Sequence, residues 1–138
     1  MNNFLNSPFV FINNGSERIH INGDGNVGIA TDDLEATLHV DGDLKVGNTS
    51  AISGFIKASI TRDVSNISSN SNRVETFSVT GAAVGNVVYV SPRADIGGRL
   101  VIGQVWVSAA NTVSVRFRNV GGSGQNPPNT TYDFVVIQ

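Results

Sequence analysis

Two histidines are the side chains of this sequence best suited to proton transfer, because the imidazole alone changes charge near neutral pH. His20 and His39 occupy the same position of a short repeat, each between two apolar residues. A structural role is the favoured interpretation, and a metal held by equivalent histidines of several chains is the alternative. The sequence has no cysteine, and therefore no thiolate nucleophile and no disulfide. It also lacks a nucleophile elbow, a phosphate-binding loop and a zinc-protease motif. We expect no metal, no cofactor and no catalytic residue.

Glycoside hydrolysis is the enzymatic alternative, since it needs only two carboxyl groups at a suitable separation. Residues 52–138 contain four acidic residues, Asp63, Glu75, Asp95 and Asp133. None of them lies in a recognisable catalytic motif. The prediction is that the protein is not an enzyme, with polysaccharide depolymerase activity kept as an alternative hypothesis.

Saccharide recognition is a second chemistry that these residue types suggest, because sugar-binding sites combine amide donors with an aromatic ring. Gln125 and Asn126 lie in a long polar segment, residues 119–130, and Tyr132 follows it. Loops of this length in a compact domain are usually functional or disordered. We predict a receptor-binding site at these three residues. The alternative is a plain connection with Tyr132 in the core.

Trp106, Arg116 and Arg118 form another candidate surface, because Trp and Arg are enriched at binding surfaces and stack on one another. The two segments that contain them alternate between apolar and other residues, as strands with one buried face do. The alternation assigns five residues to the core: Val105, Val107, Val113, Val115 and Phe117. Trp106 and the two arginines then share the opposite face. We predict a subunit interface there, with a ligand-binding patch as the alternative.

Strands must position these side chains. Val and Ile together number 30 against 5 Leu, a ratio that favours strands over helices. The sequence therefore predicts an all-β protein. Alternating segments from residue 52 onward indicate one β-sandwich with six strands: Gly54–Thr61, Val74–Val79, Asn86–Ser91, Leu100–Ser108, Thr112–Asn119 and Thr131–Ile137.

Charge and hydropathy exclude two classes of partner. The 138 residues have a net charge of −2, and only 14% of them are charged. Nucleic-acid binding needs clustered Lys and Arg, which such a composition does not offer. No stretch approaches the roughly 20 apolar residues of a membrane span. We expect neither nucleic-acid binding nor membrane insertion.

An internal repeat precedes the sandwich. Ile19–Gly28 and Leu38–Gly47 share one pattern at an offset of 19 residues. Each unit predicts two short strands around an Asx-Gly turn. Two such units cannot bury an apolar face alone, so we expect copies of the same chain to supply the missing neighbours.

The segment before the repeat is rich in phenylalanine, with Phe4, Phe9 and Phe11. In a protein with few aromatic residues, such a segment needs a hydrophobic surface. We predict an anchor that inserts into a larger assembly. A tail packed on its own stem is an equally favoured alternative.

Two parts of the sequence resemble bacteriophage tail fibres and tailspikes. Residues 25–31, Gly-Asn-Val-Gly-Ile-Ala-Thr, followed by residues 38–42, Leu-His-Val-Asp-Gly, resemble a shaft motif of these proteins. Ala30 stands where that motif usually has glycine, and Leu34 where it has proline. The second half is similar to a C-terminal fibre head in three stretches: 78–88, 107–113 and 118–128.

The resemblance implies a homotrimer in which three chains intertwine in a β-repeat stem and three β-sandwich or jelly-roll heads pack around one axis. It divides the chain into an N-terminal anchor, 1–17, a stem, 18–51, and a head, 52–138. It further implies attachment to a phage tail or baseplate protein through the N-terminus, a host-surface glycan or other receptor, and a location on the virion. A depolymerase tailspike and a purely structural trimerisation or baseplate component are the alternatives.

Overall fold

The computed structural model describes residues 7–48 and 50–138. Its regular elements in these residues are ten strands, without a helix, which confirms the all-β prediction. The chain divides into two compact units between Ser53 and Gly54. The first unit contains β1 (Phe9–Asn13), β2 (Ser16–Ile21), β3 (Val27–Ile29) and β4 (Leu38–Val40). The second contains β5 (Phe55–Arg62), β6 (Asn72–Ser78), β7 (Val87–Pro92), β8 (Leu100–Ala109), β9 (Thr112–Asn119) and β10 (Thr130–Ile137).

The first unit is one sheet in the order β1-β2-β3-β4. β1 and β2 form a hairpin whose turn residues, Asn14 and Gly15, both have positive φ, as two-residue hairpin turns require. β2 pairs with β3 in the antiparallel sense, and β3 pairs with β4 in the parallel sense. Phe9 and Phe11 of the predicted anchor therefore lie in the same sheet as the repeat, whereas Phe4 lies outside the described residues.

The first repeat unit forms the predicted hairpin. Asn22 Oδ1 accepts hydrogen bonds from the amides of Asp24, at 3.0 Å, and Asn26, at 2.9 Å, and Gly25 closes the turn with a φ of 86°. The second unit does not form a hairpin, contrary to the prediction, and Leu44 pairs instead with Ile52. Leu44 occupies the position that corresponds to Gly25, and a side chain makes positive φ unfavourable.

The second unit consists of two antiparallel sheets, β5-β10-β7 and β6-β9-β8. All six strands begin and end within two residues of their predicted limits. Rings from the two sheets meet: the centroid of Phe77 lies 4.9 Å from that of Phe134 and 5.3 Å from that of Tyr132. The two sheets thus pack face to face on one hydrophobic core.

A bulge at Gly103 preserves the buried face of β8. The pairing with β9 skips this residue, so that Ile102 lies opposite Phe117 and Gln104 lies opposite Arg116. Ile102 and Val105 are three residues apart and both pack against the core. In a regular strand they would point to opposite faces. The extra residue therefore keeps Gln104 and Trp106 on the outer face.

Candidate functional site

The predicted polar loop, residues 119–130, pairs with another connection of the second unit. Ile67, in the connection between β5 and β6, pairs with Gln125, in the connection between β9 and β10, through backbone hydrogen bonds of 2.9 and 3.0 Å. The amide of Val120 donates to the carbonyl of Arg99, which lies just before β8, at 2.9 Å. The connections β5–β6, β7–β8 and β9–β10 therefore form one continuous surface.

Asn119 holds two of these loops together from inside. Its side chain is fully buried. Nδ2 donates hydrogen bonds to the carbonyls of Ile67 and Ser123, both at 2.8 Å, and Oδ1 accepts one from the amide of Gly121, also at 2.8 Å. The donors and the acceptor of the Asn119 amide are therefore hydrogen-bonded within the fold. These bonds give the loop surface a defined shape.

The predicted receptor-binding residues separate in the structure. Asn126 is exposed, and Gln125 is half-buried, with its Nε2 only 2.7 Å from the place where a Cβ on Gly97 would lie. Tyr132 is fully buried, and its ring centroid lies 5.8 Å from that of Phe117. The assignment of Tyr132 to a receptor-binding surface is therefore corrected, because it points inward like Phe134 along the same strand.

Tyr132 also differs from a surface tyrosine in its ionisation. Burial, and then the negative charge of Glu75, raise the pKa of Tyr132 above its usual 10.0. Among the described residues its hydroxyl has no hydrogen-bond partner. The ring therefore serves the core and takes no part in recognition.

Trp106, Arg116 and Arg118 do come together, on the outer face of β6-β9-β8. Arg116 lies opposite Gln104, the guanidinium carbon of Arg116 lies 5.4 Å from the centroid of the Trp106 ring, and Nη1 donates to Gln104 Oε1 at 2.9 Å. Arg118 Nη1 donates to Asn72 Oδ1 at 3.3 Å. We call the outer face of β6-β9-β8 that carries Trp106, Arg116 and Arg118 the Trp–Arg face. The alternation in the sequence had placed these three residues on one face.

The Trp–Arg face is positively charged. The ion pairs among the described residues join Glu17 to His20, Arg73 to Glu75 and Arg93 to Asp133, and none involves Arg116 or Arg118. Of the described residues, those that point outward from this sheet include no acidic side chain: Asn72, Val74, Thr76, Ser78, Val101, Gln104, Trp106, Ser108, Thr112, Ser114, Arg116 and Arg118. Only neutral oxygens accept hydrogen bonds from these two guanidinium groups.

The opposite sheet carries a polar cluster that sequence reasoning missed. Arg93 Nε and Nη2 donate to the two carboxylate oxygens of Asp133 at 2.7 and 2.8 Å, and Ser59 Oγ donates to the same carboxylate at 2.6 Å. The three residues, together with Lys57, line a shallow concavity of about 330 Å³. Alternation could have placed Ser59 and Asp133 on outer faces. The sequence did not show that β10 pairs with both β5 and β7.

The hydrogen bonds from Arg93, and then from Ser59, hold the pKa of Asp133 at about 2, below its ordinary 3.8. Asp133 is therefore ionised at neutral pH. A glycosidase needs one carboxylic acid that stays protonated there, and Asp133 cannot supply it.

Four further candidate chemical groups have structural partners. Glu75 accepts a hydrogen bond from Arg73 at 2.5 Å, and Asp95 accepts one from the amide of Gly97 at 2.8 Å. His20 contacts Glu17 at 3.1 Å, and His39 contacts the carbonyl of Asp33 at 2.5 Å. In the described part of the chain, no three His, Cys, Asp or Glu residues are grouped closely enough to hold a metal ion.

The first unit exposes its apolar side chains. Phe9 is 41% exposed and Phe11 is 49% exposed, with their ring centroids 4.9 Å apart. Further exposed residues of the unit are Ile12, Leu38, Leu44 and Val46. Among the described residues, every buried hydrophobic side chain belongs to the second unit. The described residues of the first unit thus form no hydrophobic core within one chain.

No protein-family model, curated protein or solved structure matches this chain. Within residues 7–48 and 50–138, no helix has the length and apolar character needed to cross a membrane.

Proposed function

We propose that the protein is a non-enzymatic subunit of a bacteriophage tail fibre, a homotrimer whose heads attach the virion to a glycan on the host surface. The resemblance of residues 25–42 to a fibre shaft and of the second unit to a fibre head supports this proposal. The head is the two-sheet second unit. A jelly roll has eight strands, whereas the second unit has six. We therefore propose a β-sandwich head and not a jelly roll.

One observation supports association of the chains, and the resemblance supplies the number three: the four-stranded first unit buries no hydrophobic side chain among its described residues. A small sheet without a buried apolar face is not stable in water. Leu38 is 61% exposed and Ile12 is 66% exposed, and contacts with other copies would remove them from water. Three copies wound into a stem would supply the core that one chain lacks.

The head offers a second, smaller apolar surface. Phe55 and Val87 both lie opposite Ile137 on the outer face of β5-β10-β7, and they are 58% and 53% exposed. Tyr89 is 63% exposed in the next outward row of the same sheet. These side chains suit contacts between heads, but three of them are too few for the about 1,200 Å² of a stable interface. Assembly therefore depends on the first unit.

The test is the mass in solution, measured by light scattering during size-exclusion chromatography. We expect the full protein to have the mass of three 14.5 kDa chains. A shortened protein, residues 54–138, should stay folded, because it keeps all the buried hydrophobic side chains, and should have the mass of one chain. A single-chain mass for the full protein would overturn the proposal.

The attachment function is tested with the labelled full protein on a panel of bacterial surface polysaccharides. We expect adsorption without release of reducing sugars. Adsorption to none of them would favour a purely structural component, and release of sugars would favour a depolymerase.

A further inference from the structure

We propose that the Trp–Arg face binds an acidic saccharide chain, with Arg116 and Arg118 contacting its anionic groups and the Trp106 indole stacking on a sugar ring. This inference rests on the proposed attachment function for its biological meaning. It adds the chemical class of the ligand and the surface that recognises it.

The charge of the Trp–Arg face favours an anionic ligand. The protein has a net charge of −2, yet this face presents two guanidinium groups and, in its described residues, no carboxylate. A guanidinium has five N–H donors. The bonds to Gln104 and Asn72 occupy one donor of each arginine. The remaining donors match carboxylate or phosphate oxygens, which arginine binds in a bidentate manner.

The spacing of Arg116 and Arg118 favours a polymer as the ligand. Arg116 and Arg118 lie on β9, the central strand of the sheet, and point to the same side. Two residues of a strand span about 6.8 Å, so the two cations form a short row. The side chains of Gln104 and Asn72 flank the row on the neighbouring strands. A flat, extended surface of this kind suits a polymer with repeated anionic groups.

The position of Trp106 favours a ligand that contains sugar rings. Its ring is half-buried and the Arg116 guanidinium lies over one ring face, 5.4 Å from centroid to carbon, so this contact orients the ring before any ligand arrives and leaves only the opposite face for a sugar. An aromatic face that is fixed in advance loses little entropy when a ligand binds. Stacking and charge would then act on adjacent parts of the same chain of sugars.

A contact between subunits explains this face less well. Two guanidinium groups lose hydration when a partner covers them, and only a paired carboxylate compensates that cost. The carboxylate on the outer face of the other sheet, Asp133, is already bound by Arg93. The Trp–Arg face has two exposed valines, Val74 and Val101, which lie opposite the two arginines. The other sheet exposes larger apolar side chains, Phe55, Val87 and Tyr89, and these suit subunit contact better.

The experiment uses the fact that Trp106 is the only tryptophan in the sequence, so tryptophan emission of the full protein reports on this face alone. The full protein is titrated with polygalacturonate, a phosphate-bearing mannan, neutral dextran and duplex DNA. We expect a saturable change with polygalacturonate, the phosphorylated mannan or both, and the stronger of the two identifies carboxylate or phosphate as the ligand group. Salt at about 1 M should abolish the change, because the screening length falls to about 3 Å.

Three single-charge variants test the residues. Arg116→Gln and Arg118→Gln should each weaken binding about tenfold, as expected for one charged hydrogen bond. Lys57→Gln removes a positive charge from the outer face of the other sheet and should leave binding within about twofold of the original. Arg116→Lys keeps the charge but loses the planar pair of donors, so it should weaken binding less than Arg116→Gln does. Thermal unfolding of each variant shows that it is folded.

Several outcomes would overturn the inference: no emission change with either acidic polymer, an equal change with dextran, tighter binding of DNA, or equal losses in Lys57→Gln and the arginine variants. Loss of the trimer in Arg116→Gln or Arg118→Gln would show that the face is a subunit contact. The two proposals fail separately. A monomer that binds acidic polymers through these arginines refutes the trimer alone, and a trimer that binds none refutes the ligand alone.

Discussion

Asp133 is the residue whose ionisation its neighbours alter most. The hydrogen bonds from Arg93 and Ser59 lower its pKa to about 2 from the ordinary 3.8. Since the folded state binds the proton more weakly than the unfolded chain does, the ionised carboxylate stabilises the fold above about pH 4. This contribution is lost as the pH falls from about 4 to about 2.

Replacing the main partner of this carboxylate tests the cause of the shift. In Arg93→Gln, the pKa of Asp133 should rise from about 2 towards 3.8, as followed by an NMR pH titration of the carboxyl carbon. Arg99→Gln is the matched control, because Arg99 binds Ser123 in a neighbouring loop and not Asp133. An unchanged pKa in Arg93→Gln would contradict the structure.

Tyr132 illustrates what a single residue reveals from sequence. Beside the amides of residues 125 and 126 it has the composition of a sugar site. Its position in the alternation with Phe134 and Val136 instead points inward, and all three are buried. Alternation within the strand predicted the buried position of Tyr132 better than its proximity to the polar loop did. Tyr132 belongs to β10, which begins at Thr130.

Strand ends were predictable because they depend on local signals. β9 begins at Thr112 and ends at Asn119, as predicted, after a turn in which Asn111 has a φ of 59°. The hairpin expected in the second repeat was wrong. The two units differ at five of their ten positions, and one difference removes a turn residue, since Leu44 stands where the first unit has Gly25 at positive φ. Turn chemistry thus outweighed the repeat pattern.

The mutual support of the two long loops leads to a test of their stability. Asn119→Ala removes three hydrogen bonds, one buried and two partly buried, and we expect it to lower the free energy of unfolding by about 2–4 kcal/mol. Asn126→Ala, at an exposed position of the same loop, should change it by less than about 0.5 kcal/mol. Urea denaturation measures both. Equal effects would mean that Asn119 does not join the loops.

At the scale of the whole molecule, the exposed apolar side chains of the first unit should matter only for assembly. Leu38 is 61% exposed in the first unit and Val84 is 72% exposed in the second. If chains associate through the first unit, Leu38→Asn should raise the concentration at which the trimer dissociates by about tenfold or more, since burial of a leucine side chain is lost in each copy.

Val84→Asn is the control for the same change at a similarly exposed position. It should leave the dissociation concentration unchanged. Light scattering over a dilution series measures both variants. Equal behaviour of the two would show that the first unit does not carry the contacts between chains.

The sequence by itself determined the all-β class, the limits of the six strands of the second unit and the inward residues of β9, because alternation and turn residues are properties of neighbouring positions. It also grouped Trp106 with Arg116, since a short turn joins their strands. Only the tertiary structure decided that β10 lies between β5 and β7. That order brings Ser59 to Asp133, 74 positions apart, and pairing over such distances depends on how the whole core packs rather than on any local pattern.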